Sequence, residues 1–113
     1  MRIDVTGAEP RQSVAVRAMV VRRVHLALSR FGGRVQRVTV RIAKPVNPLG
    51  GIDHRCRMRA WLQSAEDVKA EAINGKVDAA VARAATRLAT GVGWALDGAG
   101  TRGRRHSPSR PAA

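Results

Sequence analysis

The chain has 113 residues with 21 Lys and Arg against 8 Asp and Glu, a formal net charge of +13, and 18 of the cations are arginine. That length fits one domain of about 100 residues, its aliphatic content excludes wholesale disorder, and no apolar run nears the roughly 20 residues that span a bilayer. The opening Met1-Arg2-Ile3-Asp4 lacks the apolar stretch of a secretion signal and Cys56 is the sole cysteine, so a reducing cytoplasm is the expected setting.

Arg2 to Thr6 alternates and ends at Gly7, which predicts a short strand. Pro10 suits the first turn of a helix that runs to Phe31 and stops at Gly32-Gly33. On a helical wheel Val14, Val20, Val21, Val24, Leu28 and Phe31 gather on one side, with Arg17 among them, and Arg22, Arg23 and Arg30 fall on the other. From Arg34 the period becomes two: Val38, Val40 and Ile42 point one way, Arg37, Thr39 and Arg41 the other. PVNPLGG, residues 45–51, is a loop. The next alternating run sets Cys56, Met58, Ala60 and Leu62 against Arg55, Arg57, Arg59 and Trp61, and a weaker one spans Val68 to Ala72. Asn74-Gly75 closes it, and a second helix runs from Lys76 to Thr90 or Leu96 on a stripe of Val77, Val81, Ala84, Ala85, Leu88 and Val92.

The expected fold is α+β, a two-layer β-α-β-β-β-α sandwich with a mostly antiparallel four-stranded sheet and two helices on one face. Residues 1–97 form the domain. Residues 98–113, GAGTRGRRHSPSRPAA, have the composition of a mobile basic tail. The tail holds four arginines and no acid, so the domain itself still carries +9.

A charge this high points to a polyanionic partner, and nucleic acid is the first candidate. The outward sheet face would present Arg37, Arg41, Arg55, Arg57 and Arg59, with Lys69 beyond and only Asp4 and Glu71 to dilute them. A solvated polar face is the ordinary reading of such positions, but like charges on neighbouring strands repel, which favours a surface made for phosphates. On the second helix Lys76, Arg83, Arg87 and Trp94 are spaced by seven, four and seven residues and share one side, where cations meet phosphates and an aromatic stacks on a base. Trp94 has an alternative role as a cap on the core where Gly91 and Gly93 weaken the helix. Arg22, Arg23 and Arg30 extend the basic surface if the helices lie side by side.

Catalytic chemistry is not legible. His25, His54 and His106 are scattered. His54 and Cys56 share a strand face but lack further ligands for a metal, and Cys56 falls in the apolar register without a base. Glu66 and Asp67 are adjacent at a turn, and PVNPLGG lacks the Gly-Lys-Ser/Thr of a phosphate-binding loop. The chain is read as a non-enzyme without metal, cofactor or small-molecule substrate.

The element order, the stretch VNPLGGIDHRCR (Val46 to Arg57) and the helix VDAAVARAATRLA resemble the ribosome hibernation-promoting factor family, which includes the ribosome-associated inhibitor of translation. The resemblance covers residues 2–96 and is most specific at Asn47, Gly50, Gly51, Asp53, Arg55 and Cys56, with Asp78 matching an aspartate ahead of the family's Arg-bearing helix. The loop is one residue shorter, with Pro48-Leu49, and Ala72, Asn74 and Gly75-Lys76 replace the family's usual acid, tyrosine and alanines. The resemblance implies a monomer when free that binds the small ribosomal subunit and its ribosomal RNA. It would lodge in the messenger and transfer RNA channel, inhibit translation and protect idle ribosomes under stress. The tail is too short to be a ribosome-pairing domain. The alternative is a general binder of double-stranded RNA or DNA. A single-strand reader on the sheet face would need more aromatics than Trp61, and an intrinsic ribosomal component would be present in every growth phase.

Overall fold

In a computed structural model, described here for residues 1–7, 13–44, 49–63 and 65–101, the elements follow the expected order. They are β1 (Arg2–Gly7), α1 (Ser13–Leu28), β2 (Val35–Ala43), β3 (His54–Leu62), β4 (Val68–Asn74) and α2 (Val77–Thr101), with a 3-10 segment (Ser29–Arg34) between α1 and β2. The helix start expected at Pro10, loop residues 45–48 and residues 102–113 lie outside the described residues.

The four strands form one sheet in the order β1-β2-β3-β4. β1 and β2 are parallel because α1 intervenes as a crossover, whereas β2-β3 and β3-β4 are antiparallel. Register places Ile3, Val38, Ala60 and Val68 in one row and Val5, Val40, Met58 and Ala70 in the next, all on the face the helices cover. Val20, Val24 and Leu28 of α1, Phe31, and Val81, Leu88 and Val92 of α2 complete the core, and no charged or polar residue is buried among the described residues. Each fully buried Leu, Met or Val contributes about 1.5–3 kcal/mol. No helix among the described residues is long and apolar enough to cross a membrane.

α2 lies over β3 and β4 and packs beside α1. Its buried side is built on Ala80, Ala84, Ala85 and Ala89, small residues that bring the helix close to the sheet. Closest of all is Gly91, where a Cβ would stand 2.6 Å from Val68 Cγ1. The two glycines therefore do not end the helix, which continues through them and past the compositional boundary at Gly98 to Thr101.

Two details of α1 differ from its wheel. The α-helix ends at Leu28, and the 3-10 segment carries the chain through Gly32, whose φ of 60° is left-handed and suits glycine. Val14 is 82% exposed, whereas Val16 and Met19 of the same turns pack against the core. Arg17, placed among the apolar residues by the wheel, is exposed as well.

Candidate nucleic-acid interface

The face of the sheet away from the helices carries the cationic register. Across the strands Arg2 lies beside Arg37 and Trp61; Asp4 beside Thr39, Arg59 and Lys69; Thr6 beside Arg41, Arg57 and Glu71. Arg55 follows at the end of β3, opposite Ala43 and Ile73. The five arginines expected on this face are all there.

Most of them are held. Asp4 accepts from Arg37 Nε at 3.0 Å and pairs with Arg2 at 3.4 Å. The hydrogen bond from Arg37, with Arg2 alongside, keeps the Asp4 carboxyl below its ordinary range. Glu71 accepts from Arg57 Nε at 3.1 Å and forms an ion pair with Arg55 at 3.4 Å that lacks hydrogen-bond geometry. Asp67 accepts from Arg59 Nε. The Arg37 and Arg59 guanidiniums also lie over the Trp61 ring, 5.1 and 4.6 Å from its centroid. Trp61 is thus engaged by cations and is not an open platform for a base. Between these groups Arg41 and Lys69 have neither ion pair nor hydrogen bond among the described residues. An open groove runs between them, and Thr6, Arg41, Arg57, Arg59, Lys69 and Glu71 are among the residues that line it.

Lys76, Arg83, Arg87 and Trp94 are all exposed, but their surroundings differ. Lys76 precedes the first turn, its amide held by Asn74 Oδ1 at 2.9 Å and its carbonyl accepting from the Ala80 amide. Arg83 is exposed and unpaired among the described residues. Arg87 reaches back to the sheet, where Nη1 donates to the Glu71 carbonyl at 2.7 Å. Trp94 is 57% exposed and does not cap the core; Val92 and Leu96 fill that place.

The α1 arginines are less uniform. Arg22 is exposed, and Arg30 is exposed with its guanidinium over Phe31, 4.7 Å from the centroid. Phe31 abuts Gly93, which brings Arg30 to the end of α2 that carries Trp94. Arg23 is half-buried, with its Nε enclosed and without a hydrogen-bond partner among the described residues.

Two cationic surfaces result, the open sheet face and the outer side of α2, and Glu71 joins them. Its carboxylate holds Arg55 and Arg57 on the sheet face while its carbonyl receives Arg87 from the helix layer. The basic surface therefore turns around the β4 edge. Asp67 acts here as a partner of Arg59, a role hidden in the sequence by its turn position eight residues away. Among the described residues no group of His, Cys, Asp and Glu is arranged to hold a metal. Cys56 is buried, which pushes its thiol up to about 12.

Solved structures share this architecture. A ribosomal subunit interface protein from Coxiella burnetii superposes with a TM-score of 0.69 at 17% identity, covering 86% of this chain and 99% of that one. The N-terminal domain of Thermus thermophilus Protein Y gives 0.60 at 20% identity, covering 80% and 93%. What is shared is the fold. No family model and no curated protein matches the sequence.

Proposed function

We propose that this protein binds ribosomal RNA of the small ribosomal subunit, in the channel used by messenger and transfer RNA, and so inhibits translation and protects idle ribosomes. The observation that carries the reading is the cationic surface that turns around β4, on a fold shared with a ribosomal subunit interface protein. Lys69 and Lys76 supply point charges for phosphates, and Arg41, Arg83 and the arginines held on the sheet face supply guanidinium forks. A wedge with cations on both layers suits a cleft walled by RNA. The sequence resemblance to hibernation-promoting factors supplies the channel and the block of translation.

A binder of any RNA duplex is the second reading. It is favoured by the scarcity of aromatics on the surface, where Trp94 is the one markedly exposed ring among the described residues. Phosphate contacts alone carry no sequence information. Co-sedimentation of the protein with small subunits, large subunits and a bulk RNA duplex separates the two. Saturable one-to-one binding to the small subunit, lost when messenger and transfer RNA fill the channel, is the expected result. Equal binding to all three would replace the ribosomal reading with the general one. Neutralising about six phosphates predicts a loss on the order of a thousandfold in affinity between 50 and 200 mM salt.

A further inference from the structure

The acids on the sheet face lie among the very cations that should meet RNA, which on charge alone works against binding. Their geometry says otherwise. Asp4 and Glu71 take hydrogen bonds from the Nε of Arg37 and Arg57, and neither guanidinium makes a further hydrogen bond among the described residues. A guanidinium has five N–H donors in a rigid fork, so one held at Nε keeps its Nη donors for a second acceptor. Both arginines have roughly half of their side-chain surface exposed, at 48% and 57%. Arg37 is fixed a second time by the Trp61 ring. Arg41, cross-strand neighbour of Arg57, and Lys69, two residues from Glu71, lie along the groove and have no partner among the described residues.

We infer that Asp4 and Glu71 are positioning residues: they hold Arg37 and Arg57 in place so that the open sheet face, centred on Arg41, Arg57 and Lys69, is a ready-made site for the phosphates of an RNA backbone. This rests on the reading of the protein as an RNA binder and names the surface that does the binding. A free arginine side chain loses rotamer entropy when it grips a phosphate, whereas one already held loses little. The opposing effect is repulsion between the carboxylate and the incoming phosphate. One guanidinium away, at roughly 7 Å and screened by salt, that repulsion is worth about 1.5-fold at the dielectric of water and about fivefold at that of a protein surface. Releasing the two arginines that Glu71 holds costs about tenfold or more in affinity. Positioning wins.

The test is a double-mutant cycle on the full-length protein, with binding measured to small ribosomal subunits and to a 20-nucleotide RNA hairpin. Glu71→Gln raises the net charge by one, yet the expected outcome is about tenfold weaker binding with an unchanged melting temperature. Arg57→Gln should also cost about tenfold, and the double variant should lose clearly less than the product of the two single losses, because Glu71 acts in part through Arg57 and in part through Arg55. Binding by Glu71→Gln that equals or exceeds that of the wild type would overturn the inference, as would additive losses or a loss matched by a fall in melting temperature. If the wild type binds the hairpin but not the subunits, the ribosomal reading fails and the cycle on the hairpin still decides the role of Glu71. If it binds neither, both are overturned.

Discussion

Gly91→Ala tests whether the close seating of α2 on β4 sets the position of the helix and its arginines. In a helix interior alanine is favoured over glycine by about 1 kcal/mol, so propensity alone predicts a more stable protein. The new Cβ, however, would lie 2.6 Å from Val68 Cγ1, inside any real contact distance. Val68 cannot swing aside cheaply, since its branched Cβ restricts χ1 and it sits within the β4 ladder beside Ala60. Overpacking of this kind costs about 1–3 kcal/mol. The net expectation is a loss of about 0–2 kcal/mol, which for a domain near 100 residues lowers the melting temperature by up to about 10 °C. Gly98 provides the control in the same helix, because nothing lies within 4 Å of a Cβ there. Gly98→Ala should gain up to about 1 kcal/mol, less to the extent that the last turn frays. Thermal unfolding by circular dichroism measures both. Equal stabilisation by the two substitutions would show that Val68 yields freely and that the Gly91 approach does not seat the helix.

Two further outcomes follow from the same geometry. Arg83→Ala and Arg87→Ala should together weaken RNA and ribosome binding, but only Arg87→Ala should cost stability, about 0.5–1.5 kcal/mol, because it leaves the Glu71 carbonyl at the β4 edge without its donor; unchanged affinity in the double variant would remove α2 from the footprint. Burial pushes the Cys56 thiol from 9.0 up to about 12, so the native protein should resist thiol reagents at pH 8 and react at once when denatured. The sign of the linkage is fixed as well: above pH 9 the unfolded thiol ionises while the folded one does not, and stability falls as pH rises toward 12. Rapid native labelling at pH 8 would refute the burial of Cys56.

Element order and strand faces were written in the sequence because they depend on local periodicity. Val38, Val40 and Ile42, and Cys56, Met58, Ala60 and Leu62, alternate so strictly that only one face of each strand can be buried, and all of them are. The same period fixes Arg37, Arg41, Arg55, Arg57 and Arg59 on the opposite face. The excess of positive charge and the α2 row at helical spacing are equally local facts. Tertiary structure decided which of these cations are engaged. Asp4 and Arg37 are 33 residues apart, Arg57 and Glu71 14, and Arg87 and the Glu71 carbonyl 16. Whether such groups meet depends on inter-strand register and on how near α2 approaches the sheet. Val14 came out exposed for a related reason: a wheel gives the direction of a side chain, while burial requires another element to lie there. The chain alone thus determined a cationic two-layer sandwich. Only the packing of its layers separated the arginines held by acids from the cations without a partner among the described residues, because an ion pair needs both charges within a few ångströms and the fold brings them there.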